Sequence, residues 1–290
     1  VVDIGKNTTS VGDNLVIGIS AESTGTNSGA IGNQARAVAS NSTALGYNAD
    51  ALGVDATALG VETTAPSNWN TVIGYDAGSM QNGENVVLVG RKSEALGDDA
   101  VAIGELARAN KNKATAVGRE TDALGENSSA FGQNASAQGK GTTVVGQGVT
   151  VVPDKATSVG TEVTVSGENA TGVGRNSFAT APSAIAVGQG AEANAERSSA
   201  LGKGAVANGV NSLAIGNDTA VQQDNTYSFG DRDVRLPNGR SFTYSLNAGE
   251  QTIVDFPVDN TVSQGTKQSY SFEITGEVIA EVAAEADGSG

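Results

Sequence analysis

Large apolar residues stand directly before glycine at regular intervals along most of this chain. The interval is fourteen residues from Gly18 to Gly74 and again from Gly90 to Gly230, with one spacing of sixteen between Gly74 and Gly90. A looser series of glycines, such as Gly53, lies halfway between, and other residues often take its place. A fixed period of this kind indicates a repeat architecture in which each unit packs against its neighbours.

Each fourteen-residue unit is predicted to form two short strands separated by turns. A β-branched residue often stands two positions before the large apolar one, as in Thr43 and Leu45, and such alternation is typical of a pleated strand. Further along the unit, small apolar residues alternate in the same way, as in Ala49 and Ala51. Residues 1–230 therefore predict an all-β fold, a parallel β-solenoid of about sixteen coils stacked roughly 4.8 Å apart.

We assign the large apolar residue before each glycine to the interior, because bulky apolar side chains fill protein cores. This large apolar column, the predicted core of the roll, comprises Ile31, Leu45, Leu59, Ile73, Val89, Ile103, Val117, Phe131, Val145, Val159, Val173, Val187, Leu201, Ile215 and Phe229.

The residue one position earlier should then point outward, yet it is almost always apolar and usually alanine. A solvent-facing column would be polar, so we predict that this alanine column forms an interface between chains. It comprises Ala30, Ala44, Ala58, Val72, Leu88, Ala102, Ala116, Ala130, Val144, Ala186, Ala200 and Ala214.

Composition narrows the chemistry. The 290 residues include no cysteine and no histidine, which excludes disulfides, thiol nucleophiles, Cys/His zinc sites and imidazole catalysis. The net charge of −15 argues against binding nucleic acid, and no apolar run approaches the roughly 20 residues of a spanning helix. We predict a non-enzymatic protein with no cofactor, no metal site, and no nucleic-acid or membrane partner for this segment.

Three stretches carry a family resemblance: "NSTALGYNA" at 41–49, "SSALGKGAVANG" at 198–209 and "NSLAIGNDT" at 211–219. They resemble the head repeats of trimeric autotransporter adhesins. The resemblance covers roughly residues 1–230 and implies a left-handed parallel β-roll that assembles as a homotrimer. The heptads of the coiled-coil stalk that follows in those adhesins are not found after Gly230.

Residues 231–290 depart from the repeat. Pro237-Asn238-Gly239 predicts a turn, and alternating runs around Phe242 and Tyr270 are typical of antiparallel strands. We expect a small β-domain here, and its end loosely resembles segments of tailed-virus fibre proteins. This resemblance favours a trimeric tail fibre, an extracellular virion-surface component that contacts other virion or fibre proteins and attaches to a host cell-surface glycan or protein.

Three alternatives stay open: the head of a cell-surface autotransporter-type adhesin, a purely structural spacer fibre, and a polysaccharide-degrading solenoid enzyme. The enzyme is the weakest of them, because such enzymes use longer coils and loops around a carboxylate-lined groove.

The irregular spacing between Gly74 and Gly90 marks candidate ligand contacts. Trp69, Tyr75 and Met80 lie beside or within it, and exposed aromatic residues often line sugar-binding surfaces. The alternative is a tolerated insertion that the tryptophan shields.

Overall fold

The structure, a computed structural model, describes residues 2–78 and 83–230. Met80 and the predicted C-terminal domain, 231–290, lie outside the described residues. Within the described ranges the regular structure consists of strands, and no helix occurs. The strands that form the larger sheet are β1 (Val2–Ile4), β3 (Leu15–Ile17), β5 (Gly29–Ile31), β7 (Thr43–Leu45), β9 (Thr57–Val61), β11 (Thr71–Tyr75), β12 (Val87–Val89), β14 (Val101–Ile103), β16 (Thr115–Val117), β18 (Ser129–Phe131), β20 (Thr143–Val145), β22 (Thr157–Val159), β24 (Thr171–Val173), β26 (Ile185–Val187), β28 (Ser199–Leu201), β30 (Leu213–Ile215) and β32 (Tyr227–Ser228).

The remaining strands have two residues each and form the opposite side of the roll. They are β2 (Thr9–Ser10), β4 (Glu22–Ser23), β6 (Arg36–Ala37), β8 (Asp50–Ala51), β10 (Thr64–Ala65), β13 (Glu94–Ala95), β15 (Arg108–Ala109), β17 (Asp122–Ala123), β19 (Ser136–Ala137), β21 (Thr150–Val151), β23 (Thr164–Val165), β25 (Phe178–Ala179), β27 (Glu192–Ala193), β29 (Val206–Ala207) and β31 (Ala220–Val221).

Every strand pair in the described residues is parallel, so hydrogen bonds run from one coil to the next. The larger sheet has seventeen strands, and the shorter strands form three sheets of five. Most neighbours pair at an offset of fourteen residues, for example Ala102 with Ala116. The sixteen-residue spacing is absorbed outside the strands, because Thr71 still pairs with Val87. The prediction of a parallel β-solenoid is confirmed.

The glycine before each first corner is required by both conformation and space. Gly118 has φ +140°, which side-chain-bearing residues rarely adopt, and a Cβ there would overlap the carbonyl oxygen of Gly132 in the next coil. Two residues later the chain enters the left-handed region, as at Asn48 with φ 51°. Asn and Asp tolerate that region better than most residues, which is why they recur at these turns.

The inward column of the short strands is confirmed. Alanine or valine occupies both inward positions in most coils, and these side chains are at most 5% exposed. Examples are Ala49 and Ala51 in one coil and Val163 and Val165 in another.

The prediction of which side of the larger sheet faces the interior was wrong. The alanine column lies inside a single roll. All of its members are 0% exposed within one chain and therefore cannot lie between chains. They are Ala30, Ala44, Ala58, Val72, Leu88, Ala102, Ala116, Ala130, Val144, Ala186, Ala200 and Ala214.

The large apolar column correspondingly points away from the interior, and the prediction that it forms the roll core was wrong. None of its members is buried. They are Ile31, Leu45, Leu59, Ile73, Val89, Ile103, Val117, Phe131, Val145, Val159, Val173, Val187, Leu201, Ile215 and Phe229.

The physical reason is the narrow space between the two sides of the roll. At Gly172 an added Cβ would lie 2.8 Å from Val163 Cγ1 and 2.9 Å from Val165 Cγ2 on the opposite strand. Where the opposite strand has valine, the larger sheet therefore has Gly172 or Ser158, and where it has alanine, Val144 fits. Interiors are close-packed, so bulk on one side requires a small residue on the other.

Candidate interaction surfaces

The outer side of the larger sheet presents an apolar face, by which we mean the fifteen residues of the large apolar column. Exposed fractions reach 40% at Leu45, 38% at Phe131 and 48% at Phe229. Because successive strands pair in register, as Leu45 does with Leu59, the exposed side chains form one continuous row along the roll. A row of this kind is a candidate surface for association.

A depression lies at the corner between a short strand and the next long strand. It has a volume of about 520 Å³ and is lined by Trp69, Glu84, Asn85, Asp98 and Asp99, residues from three successive coils. We call this set the Trp69 depression. The Trp69 side chain is 54% exposed.

Hydrogen bonds between coils fix the polar side chains of the Trp69 depression. Asn68 Nδ2 donates to Glu84 Oε1 at 3.3 Å, and Asn85 Nδ2 donates to Asp99 Oδ1 at 2.8 Å. The backbone N–H of Glu84 donates to Asp98 Oδ1 at 3.0 Å. The backbone N–H of Trp69 donates to the Val54 carbonyl at 2.9 Å, which holds the tryptophan at its corner.

The structure separates the other sequence-predicted ligand contacts from Trp69. Tyr75 is 48% exposed at the end of β11 and is not among the residues that line the Trp69 depression. It lies on the same side of the larger sheet as Ile73, so it extends the apolar face at that coil. Met80 lies outside the described residues. Sequence reasoning missed Glu84 and Asp98, which the stacking of coils brings beside Trp69.

A second depression, of about 400 Å³, carries charges of both signs. It is lined by Lys92, Glu94, Leu106, Arg108, Glu120 and Asp122. Arg108 donates two hydrogen bonds to Asp122, each 2.7 Å long, and the Asp122 carboxylate raises the pKa of Arg108. The charges of this depression therefore partly compensate one another within the chain.

A similar ladder of charges lies nearer the N-terminus. Arg36 Nε lies 3.1 Å from Glu22 Oε2, and Arg36 Nη1 lies 3.5 Å from Asp50 Oδ2. Burial raises the pKa of Asp50, although the Arg36 guanidinium acts in the opposite direction. Such partly exposed pairs contribute little to stability individually, but each one connects adjacent coils.

The described part of the chain contains no group of three or more His, Cys, Asp or Glu residues suited to a metal ion. Nor does it contain a helix long and apolar enough to span a membrane.

A family model matches several parts of the solenoid. The model is that of the YadA head domain repeat, two copies, and the matched residues are 23–49, 95–121, 123–148, 166–191 and 193–219. These five ranges of the solenoid are similar to YadA head repeats.

One solved structure that resembles the chain is the crystal structure of the collagen-binding domain of the Yersinia adhesin YadA. The sequence identity is 22% and the TM-score is 0.23, over 69% of this chain and 82% of that chain. No curated protein sequence matches the chain.

The matched YadA head repeats amount to a little under half of the chain. Leu45 and Phe131 of the apolar face lie within matched ranges. Residues 50–94, which include Trp69 and the sixteen-residue spacing, lie between two of those ranges. Most of the apolar face thus lies within the ranges that match the YadA head repeat, whereas the tryptophan belongs to a segment between two of them.

Proposed function

We propose that this chain is part of the head of a cell-surface adhesin, a non-catalytic fibre that attaches to host surfaces by many shallow contacts. The observation that supports this proposal is the match of its coils to YadA head repeats. The tail-fibre interpretation rested on residues 231–290, which lie outside the described residues. The adhesin interpretation, the alternative at the outset, is therefore favoured over a virion component.

The proposal includes assembly into a homotrimer through the apolar face. Seventeen strands at about 4.8 Å each make the larger sheet roughly 80 Å long, and its outer surface, made of the apolar face and of a second column that is mostly threonine, serine or valine, is about 10 Å wide. Its area is then roughly 800 Å², which equals one side of a standard protein interface.

Light scattering on the purified protein tests the assembly. We expect a mass three times that of the 28.9 kDa chain. Val117→Glu places a charge on the apolar face and should yield a folded monomer, whereas Gln138→Glu on the opposite side should remain trimeric. A wild-type monomer would refute the interface.

Attachment is tested by saturable binding of the labelled protein to host cells and to surfaces coated with collagen or glycans. Collagen is included because the YadA domain is described as binding it. Saturable binding that soluble ligand competes away is the expected result. A trimer that binds none of these surfaces would favour the structural spacer instead.

A further inference from the structure

The Trp69 depression holds an exposed tryptophan where the backbone conformation is unfavourable for one. Trp69 has φ 57°, in the left-handed region that bulky residues rarely adopt. The neighbouring coils have Asp55 and Asn85 at the equivalent corner position, which are among the residues that tolerate this conformation best. The corner itself requires this conformation in every coil, and other residues such as Lys113 and Arg197 also adopt it, but among the described corners of this series Trp69 alone is aromatic and exposes a large ring.

The carboxylates around Trp69 are not neutralised within the described part of the chain. Glu84, Asp98 and Asp99 accept hydrogen bonds from neutral donors, Asn68 Nδ2, the Glu84 N–H and Asn85 Nδ2 respectively. The ion pairs of the described residues involve other carboxylates. Lys113 follows Asp99 in the same corner column but is not among the lining residues.

In the second depression, by contrast, basic side chains lie beside the carboxylates and partly neutralise their charge. Its lining includes Lys92 and Arg108, and Arg108 bonds directly to Asp122. The Trp69 depression contains three carboxylates and no lysine or arginine. An electron-rich indole face combined with uncompensated negative charge attracts a cation specifically.

We propose that the Trp69 depression binds a cationic side chain, arginine or lysine, of an extended basic segment on a partner protein. The cation stacks on the Trp69 ring while Asp98, Asp99 and Glu84 supply charge-assisted hydrogen bonds. The lining of the depression spans two coil steps of about 4.8 Å, roughly 10 Å in all, which about three residues of an extended peptide cover. This assignment deepens the proposed attachment function, on which its biological use rests, but peptide binding itself does not depend on that function.

Intrinsic fluorescence tests the proposal directly, because Trp69 is the only tryptophan in the chain. The probe is acetyl-tetra-arginine amide, and its neutral counterpart has citrulline in place of arginine. We expect a saturable change in tryptophan emission with tetra-arginine that weakens as salt is raised, and no change with the citrulline peptide. No response to tetra-arginine, an equal response to both peptides, or a response to calcium chloride without one to tetra-arginine would overturn the proposal.

Charge-removing variants test the carboxylates without disturbing the fold. Asn68 and Asn112 accept the same inter-coil backbone bond as Asp98, so Asp98→Asn keeps that bond. Asn41 and Asn127 occupy the corner position of Asp99 in other coils, so Asp99→Asn is also tolerated. The double variant should bind tetra-arginine about three- to ten-fold more weakly.

The matched control is Asp224→Asn, because Asp224 accepts the equivalent backbone bond from Val210 at 2.7 Å in a distant coil. It should bind tetra-arginine as the wild type does. Equal affinity of the double variant and the wild type would overturn the role of the carboxylates. If the double variant loses peptide binding but still attaches to cells, the cationic site is real and attachment uses another surface.

Discussion

The narrow interior makes Gly172 the most discriminating position for a substitution. Gly172 lies on the larger sheet and faces Val163 and Val165, and an added Cβ would lie 2.8 and 2.9 Å from their methyl carbons. Real Cβ atoms essentially never approach other heavy atoms so closely. The backbone φ of Gly172 is not in the left-handed region, so Gly172→Ala tests packing alone.

We expect Gly172→Ala to destabilise the solenoid by about 1–3 kcal/mol, the usual cost of adding a methyl group to a filled core. A domain of this size loses about 2–4 °C in Tm for each kcal/mol, so the expected loss is roughly 2–12 °C. Circular dichroism during thermal unfolding measures it. The triple variant Gly172→Ala, Val163→Ala and Val165→Ala should recover stability relative to the sum of the separate changes, because it removes the methyl groups that clash.

The control for this experiment is Gly29→Ala. Gly29 has no atom within 4 Å of a built Cβ and lies on the outer side of the larger sheet, so the variant should unfold at or slightly above the wild-type temperature. If Gly172→Ala were equally harmless, the alanine column would not face the interior. The corrected direction of the larger sheet would then be refuted.

Three further predictions concern the corners, the ion ladder and the repeat. Gly118→Ala should lower the free energy of unfolding by at least about 2 kcal/mol, because the added Cβ overlaps the Gly132 carbonyl oxygen. Gly148→Ala, at φ +67° with open space around it, should lower it by about 1 kcal/mol. Chemical denaturation compares the two variants. Burial raises the pKa of Asp50, so the folded state binds a proton more tightly than the unfolded state, and the contribution of Asp50 to stability falls as pH rises above about 4. The Tm of Asp50→Asn relative to that of the wild type should therefore rise between pH 3.5 and 7. A Tm difference that does not change with pH would contradict this. Deleting residues 105–118 removes one whole coil and should leave a folded, shorter rod, whereas deleting residues 112–118 places short strands against the larger sheet and should disrupt the fold. Circular dichroism and small-angle scattering distinguish the two deletions. Equal behaviour of the two would argue against coil-to-coil pairing.

The period, the corners and the parallel pairing were predictable because each is a statement about backbone and spacing. A glycine every fourteen residues reflects close approach between coils, and that pattern is present in the letters. The prediction of which side of the larger sheet faces the interior was wrong, since alternation separates two faces without saying which one is inside. Bulk was taken as the sign of a core, but this interior is narrow, and at Gly172 a pair of valines on the opposite side leaves no room even for a Cβ.

One available signal would have corrected that error. Ser158 and Gly172 stand at two positions where the repeat would place members of the alanine column, and both lie opposite coils with valine at the two inward positions, such as Val163 and Val165. Val144 lies opposite a coil with alanine at those positions. This exchange of volume between columns occurs only between side chains that share one interior.

Of the residues in the Trp69 depression, the sequence predicted Trp69 as a ligand contact but not the polar residues beside it. The exposure of Trp69 could be inferred from its isolation beside an irregular coil. Its partners Glu84 and Asp98 are fifteen and twenty-nine residues away in the chain, across the altered spacing, and only the register of the stacked coils brings them together. Tyr75, six residues away, is closer in sequence but is not part of the depression.

With the large apolar side chains on the outside of the roll, the proposed assembly and the proposed attachment depend on each other. A single cation on an exposed aromatic ring contributes roughly 0.5–1 kcal/mol, which is too little to hold a fibre on a surface. A trimer carries the same depression three times, and linking weak sites raises overall binding by orders of magnitude without any new contact. The large side chains of the apolar face, rather than the alanines beside them, are what would hold the three chains together. A substitution such as Val117→Glu should therefore abolish attachment to cells while leaving the affinity of each depression for a basic peptide unchanged.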